Sequence, residues 1–376
     1  MKYRRIVKNQ INKDLFGGKI IILYGPRQVG KTTMVKEIID EATVSSMYIS
    51  CDIPSRRALI SMPEPEIIKK NIGDAKLLIL DEAQMVENIG LILKVLHDTY
   101  PDIQIIATGS SSFDLANKIK EPLTGRAKEY TLYPLSFQEI MLSGKNILKT
   151  DFEDYRLRFG FYPGMPEGMH DATEYLATLQ ANTLYKDILA LENIRKPKVL
   201  EDLIILLANR IGSIITTNSI ANEIKTTAST VERYLNLLEK MFVVKRLYAY
   251  SHNPNNERKK GYKIYFVDIG IRNSIINQHD LIKNRMDNGA LFENYFIMER
   301  IKFLSNNKIY NNKYFWQNYK QIEVDYIEEA NGKLYAYECK YKDRSSKGLK
   351  IFHEQYSNTI SQTVTMENYD KYLLKE

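Results

Sequence analysis

Gly25-Pro26-Arg27-Gln28-Val29-Gly30-Lys31-Thr32-Thr33 sets two glycines, a lysine and two hydroxyls at the spacing G-x-x-x-x-G-K-[ST]. Glycine lets a backbone wrap a phosphate without Cβ interference, so its N–H groups and the start of the next helix meet the anion. Lys31 then reaches the β and γ phosphates, and the Thr32 hydroxyl ligates Mg²⁺. Downstream, Leu77-Leu78-Ile79-Leu80 leads into Asp81 and Glu82. A buried strand of that kind delivers Asp81 as a second metal ligand and Glu82 as general base for an attacking water. These residues predict binding of ATP with Mg²⁺, and its hydrolysis. Ser110, at the end of a third apolar run, is chosen as γ-phosphate sensor, with Thr108 second. Arg126 is the charge-stabilising arginine, acting in cis or in trans.

A second constellation lies near the C-terminus. Glu338 and Lys340 are two apart on a strand and share a face, and Asp325 on the preceding hairpin strand reaches that face. Two carboxylates and an ammonium suit a divalent metal and activation of water against a phosphodiester. A helix is expected over Ala290–Leu304. The competing expectation is a solvated hairpin face of alternating charges.

Between the two, Thr217–Ile224 and Thr226–Lys240 read as paired helices. Ser229 is expected to cap the second through a capping box with Glu232, leaving Glu232, Arg233, Asn236 and Glu239 outward. Strands over Phe242–Tyr250 and Tyr262–Val267 follow as a wing with Arg258, Lys259 and Lys260 at its tip. The N-terminal end of a recognition helix meets bases, so Thr226, Thr227, Thr230 and Arg233 are DNA contacts, and the basic tip meets phosphates.

The elements that must position these groups alternate in the first third. Apolar runs Lys19–Tyr24, Ser45–Ser50, Leu77–Leu80, Ile103–Thr108 and Glu129–Leu132 are separated by helical patterns at Thr32–Ile39 and Ile89–Tyr100, which predicts an α/β fold with a parallel sheet. The 376 residues exceed one core of ordinary size. The formal charge of +7 is a mild bias towards anionic partners. Residues 199–284 hold 12 basic against 8 acidic side chains, the densest excess. No apolar stretch predicts a membrane span, and no signal-peptide core follows the basic N-terminus, so a cytoplasmic location is expected. Cys51 and Cys339 are too few for a disulfide framework or a zinc site and are expected as small buried hydrophobes.

The loop at Gly25–Thr33, the strand ending Asp81-Glu82-Ala83-Gln84, Thr108-Gly109-Ser110-Ser111, and Gly125-Arg126 with Tyr133-Pro134-Leu135-Ser136-Phe137 resemble the prokaryotic AAA+-type predicted ATPases. That resemblance covers almost the whole chain. It implies a P-loop ATPase core at 1–133, a helical lid at 134–198, a winged helix at 199–284 and a restriction-endonuclease-like α/β domain at 285–376. Asp325, Glu338 and Lys340 resemble the PD-(D/E)xK nuclease signature, with Val324 standing where a proline often precedes the first acid. The two carboxylates would then hold a second divalent metal, Lys340 would position the nucleophile, and Glu293 on the helix Ala290–Leu304 would complete the set as nuclease-like folds allow. DNA is the expected partner and oligomerisation is allowed for. The alternative is a nucleotide-dependent signalling switch whose winged helix docks protein and whose nuclease-like domain is inactive.

Overall fold

The computed structural model describes residues 3–109, 123–143, 149–166, 168–181, 197–251, 261–342 and 347–375. The chain folds as two compact units: residues 1–135 with Lys240–Phe242, and 136–239 with 243–376.

In the first unit the chain runs α1 (Ile6–Asp14), β1 (Ile20–Tyr24), α2 (Lys31–Glu41), β2 (Ser46–Ser50), α3 (Pro65–Ile72), β3 (Leu77–Asp81), α4 (Ile89–Thr99), β4 (Gln104–Gly109) and β5 (Ala127–Thr131). The five strands are all parallel in the order β2-β3-β4-β1-β5. Strands β1, β3 and β4 are buried along their whole length, which is why they read as unbroken apolar runs. The edge strands are less buried: β2 is mostly half-buried and β5 includes exposed positions. Parallel pairing brings every strand's carboxyl end to one edge of the sheet. Gly25, Asp81 and Thr108 therefore share an edge although they are far apart in sequence. Each of the five expected strands forms, within two residues of its expected ends.

The second unit holds α5 (Lys149–Phe159), α6 (Met169–Gln180), α7 (Pro197–Asn209), β6 (Ile214–Ile215), α8 (Thr217–Glu223), α9 (Ala228–Lys240), β7 (Val244–Ala249), β8 (Tyr262–Phe266), α10 (Ile269–Ile275), α11 (Asn288–Asn306), β9 (Asn312–Gln317), β10 (Glu323–Ala330), β11 (Lys333–Lys340), α12 (Lys347–Gln355) and β12 (Thr359–Thr365). One seven-stranded mixed sheet runs β12-β11-β10-β9-β7-β8-β6. The hairpin β7–β8 is thus not a free wing, because β7 pairs in parallel with β9 and joins the C-terminal strands. Helices α5 and α6, expected in a lid, pack on α10 of the same unit. The strand expected from Phe242 starts at Val244; Phe242 is left-handed (φ 58°) and packs edge-on against Tyr133 in the first unit.

Two local features shape the C-terminal hairpin. Asn331 and Gly332 both have positive φ (51° and 72°), the two-residue turn their sequence predicts. On β10 the register to β9 slips between Val324 and Ile327. A slip of this kind re-aims the side chains it spans, and Asp325 is one of them. Gly348, on α12, lies so near β10 that an added Cβ would stand 1.9 Å from the Glu323 carbonyl oxygen. Gly348→Ala should cost about 1–3 kcal/mol through overpacking, read as a lowered midpoint in denaturant. An unchanged midpoint would mean that α12 does not rest on β10 as described.

Candidate functional site

The loop leaves β1 at Gly25, where a Cβ would stand 2.2 Å from the Leu132 carbonyl oxygen. It turns through left-handed Gln28 (φ 61°) and Gly30 (φ 94°) and enters α2 at Lys31. Gly30, at the N-cap, supplies no side chain to the first turn of α2, which leaves those N–H groups to an anion. Arg5, which sequence reasoning passed over, is 8% exposed and braces the loop. It donates to the Val29 carbonyl at 2.7 Å and the Tyr133 carbonyl at 2.6 Å. Arg27, Gln28 and Thr33 point to solvent, whereas Pro26 and Val29 are buried.

Lys31 is buried at the mouth of the loop and donates to the carbonyls of Gly25 (2.9 Å) and Pro26 (3.0 Å). Burial pulls its pKa below the usual lysine value, opposed by Glu82 and Asp81. Asp81 is 3% exposed and receives three hydroxyls: Thr32 at 2.7 Å, Tyr48 at 2.7 Å and Thr108 at 2.5 Å. Burial and the bond to Asp81 push the Tyr48 hydroxyl upward, so it stays a donor. Thr108 is the penultimate residue of β4, the strand between β1 and β3, and also accepts from the Glu82 N–H at 3.0 Å. Glu82 has left-handed backbone (φ 55°), and its carboxylate accepts from Gln84 at 2.5 Å. Uncapped N–H groups, a buried amine and a hydroxyl–carboxylate pair form the donor set of a magnesium nucleotide, so the residues fit that group.

Two of the expected residues are not seen at this site. Ser110 lies outside the described residues, and it is Thr108, the second choice, that bridges Asp81 and Glu82. Arg126 precedes β5, whose first residue Ala127 aligns with Ile20, the first residue of β1. It therefore sits at the amino edge of the sheet, a strand's length from the loop, paired with Asp98 at 2.8 Å. This corrects Arg126 as a charge stabiliser in cis, because parallel strands put their two ends on opposite edges.

In the second unit, α9 begins at Ala228, and Thr227 caps it by accepting from the Thr230 N–H at 3.2 Å. Ser229 is inside the helix, which corrects the expected capping box. Glu232 instead pairs with Arg246 of β7 at 2.7 Å, Glu239 does so at 2.7 Å, and Asn236 also accepts from that guanidinium. Arg246 is 7% exposed and lies over the rings of Tyr248 and Tyr262. Three of the four residues expected to face outward on α9 are therefore tied to the hairpin. Thr227 and Arg233 remain exposed and Thr226 and Thr230 half-buried at its N-terminal half; Arg258, Lys259 and Lys260 lie outside the described residues.

Three C-terminal carboxylates gather around one lysine. Lys263 of β8 lies within 3.3 Å of Glu293 and Asp325 and 3.1 Å from Glu323. Tyr265 donates to Glu293 at 2.6 Å, and the Cys339 N–H donates to Asp325 at 2.9 Å. Lys340 pairs with Glu338 at 2.7 Å. Lys263 and Glu323 were not expected here; Lys263 belongs to a strand 62 residues before Asp325. Burial and the neighbouring Asp325 charge push both Glu293 and Glu338 up to about 7. Burial alone would lower the Lys263 pKa, but Glu293, Asp325 and Glu323 outweigh it and hold it high. Cys51 and Cys339 are buried free thiols, and among the described residues no helix is long and apolar enough to cross a membrane.

Comparison with known proteins agrees with the loop. Residues 17–141 match the model of an AAA domain. Similarity to an AAA domain and the loop geometry above together support a P-loop ATPase fold for this unit. Residues 149–281 and 288–376 match two domains of unknown function, DUF8612 and DUF4143. An uncharacterized protein of Mycobacterium tuberculosis is 23% identical over 90% of this chain and 74% of its own length. An uncharacterized protein of Methanocaldococcus jannaschii is 26% identical over 93% of this chain and 81% of its own. Among solved structures, the Pif1 helicase from Candida albicans overlaps 48% of each chain at 16% identity and a TM-score of 0.25. A structure of Drosophila ORC bound to AT-rich DNA and Cdc6 overlaps 72% of this chain and 89% of its own at 11% identity and a TM-score of 0.26.

The raised Glu338 carboxyl gives a pH test. Its folded pKa of about 7 lies above the ordinary 4.5, so the unfolded chain releases this proton first as pH rises. The carboxyl's contribution to stability is full below 4.5 and is lost towards 7. Gln carries no such proton. The stability of Glu338→Gln relative to wild type should therefore rise by about 1–3 kcal/mol between pH 5 and pH 8, measured by urea unfolding. A flat difference would show that Glu338 is not shielded from water.

Proposed function

We propose that this chain is a cytoplasmic ATP-hydrolysing P-loop protein that acts on or near DNA, with α8, α9 and the hairpin β7–β8 as its winged-helix contact. The observation that carries the ATPase part is the string Thr32–Asp81–Thr108–Glu82, which begins beside Lys31 and spans the carboxyl edge of the sheet. Residues Gly25–Thr33 would hold the phosphates through backbone N–H groups, with Lys31 turning from its own loop carbonyls to the β and γ oxygens. Thr32 and Asp81 would hold Mg²⁺, which when bound disperses charge on the transferring phosphoryl group. Glu82 takes a proton from the attacking water once its carboxylate leaves Gln84. Tyr48 and Thr108 keep Asp81 aimed. Arg126 could serve only in trans, in a second copy of the chain.

The DNA part rests on the order α7, β6, α8, α9, β7, β8 and on the N-terminal half of α9, where Thr226, Thr227, Thr230 and Arg233 stand. One observation favours a second possibility, the nucleotide-dependent switch that docks protein: Arg246 occupies Glu232, Asn236 and Glu239, removing the middle of α9 from base contact.

Lys31→Ala should abolish ATP turnover. Glu82→Gln should retain ATP binding and lose at least about 100-fold in turnover, the low end of general-base contributions. Turnover that survives Lys31→Ala would overturn the assignment. DNA binding should weaken steeply from low to physiological salt and fall further in Arg233→Ala. Absence of DNA binding with and without ATP would leave the protein-docking switch.

A further inference from the structure

The spacing of Asp325, Glu338 and Lys340 suits a divalent metal, but the structure sets an ammonium among the carboxylates. Lys263 Nζ is 3.1 Å from Glu323 Oε2, 3.2 Å from Glu293 Oε1 and 3.3 Å from Asp325 Oδ1. Its side chain is 2% exposed, and Nζ lies 5.7 Å from the centre of the Phe315 ring. Mg²⁺ requires oxygens at about 2.0–2.1 Å and Ca²⁺ at about 2.3–2.6 Å. With Lys263 Nζ between them, the oxygens stand more than 3 Å from the centre they share, too far to ligate either ion. Among the described residues, no three acidic, histidine or cysteine side chains converge closely enough to hold a metal ion. The residues therefore do not fit the ion that a nuclease-like domain implies.

We propose that Lys263 is the resident cation of this cluster, taking the place a divalent metal would take and leaving the C-terminal domain unable to cleave phosphodiesters. Glu293, Glu323, Asp325 and Glu338 face Lys263 and Lys340, so the carboxylates outnumber the ammonium groups even with Lys263 in place. Glu338, 7% exposed, keeps Oε2 buried without a hydrogen-bond partner. A cation admitted after loss of Lys263 would meet that oxygen together with Asp325 and Glu293. Lys263 also comes from β8 rather than from β10 or β11. The lock therefore fastens the hairpin after α9 to the C-terminal strands, in addition to the pairing of β7 with β9.

The test counts manganese ions bound to the full-length, nucleotide-free chain by the loss of free Mn²⁺ signal in electron paramagnetic resonance. Wild type, Asp325→Asn, Lys263→Met and the double variant are compared. The P-loop is intact in all four, so any ion held there contributes equally. Lys263→Met keeps the apolar stem against Phe315 and removes the charge. Wild type and Asp325→Asn should bind equal numbers, Lys263→Met should bind one more, and the double variant should lose that added ion. An ion present in wild type and lost in Asp325→Asn overturns the proposal. So does a folded Lys263→Met, verified by circular dichroism, that gains none. If Lys263→Met does not fold, wild type against Asp325→Asn still decides: equal stoichiometry supports the lysine as resident cation, and an ion lost in Asp325→Asn refutes it.

Discussion

Asp81 carries a carboxylate into a sheet edge where only 3% of the residue meets water, and three hydroxyls from three different elements converge on it. A charge so placed costs several kcal/mol unless it is hydrogen-bonded or paired. Much of the first unit follows from that requirement. Strand β4 must carry a hydroxyl residue near its end because it lies between β1 and β3. Thr32 must open α2 facing β3, and Tyr48 must reach across from the neighbouring edge strand. The same hydroxyls that satisfy Asp81 leave it oriented for a metal, so structural and chemical demands coincide at this carboxylate.

Buried charge organises the second unit as well, with a different result. Arg246 gathers Glu232, Asn236 and Glu239 and lies over two tyrosine rings, which fixes α9 against its hairpin. Lys263 gathers three carboxylates from α11 and β10. Lys263 joins elements distant in sequence, whereas Arg246 ties α9 to the strand that follows it, and each engages side chains that a pattern of alternating polarity would leave free. A charged residue on an expected outer helix face can be the anchor of a neighbouring strand.

The all-parallel sheet was legible in the sequence because strands buried on both faces read as unbroken apolar runs, and the helices between them keep their own period. The phosphate loop was legible because its chemistry tolerates few substitutions of residue type at fixed spacing. Helix α1 and its bracing Arg5 were not, since a short amphipathic helix before the first strand carries no such constraint. The capping residue of α9 was misplaced by two positions, because Thr226, Thr227, Ser229 and Thr230 are all hydroxyl residues that can cap, and only the path of the chain selects Thr227. The slip on β10 that turns Asp325 inward leaves no mark in the run Glu323–Ile327.

Sequence alone determined the groups that must sit at short range: the loop with its lysine and threonine, the acid pair at the end of β3, and the carboxylates and lysine of the last hairpin. Local geometry fixes these, since a few bonds separate the participants. Tertiary structure decided which distant groups join them. It placed Arg126 at the wrong edge of the sheet for chemistry in cis, because parallel strands separate their two ends. It brought Thr108 and Tyr48 to Asp81 through strand order, and set Lys263 among the C-terminal carboxylates through the pairing of β7 with β9. Strand order and register are set by the packing of whole faces, a property that no short motif encodes.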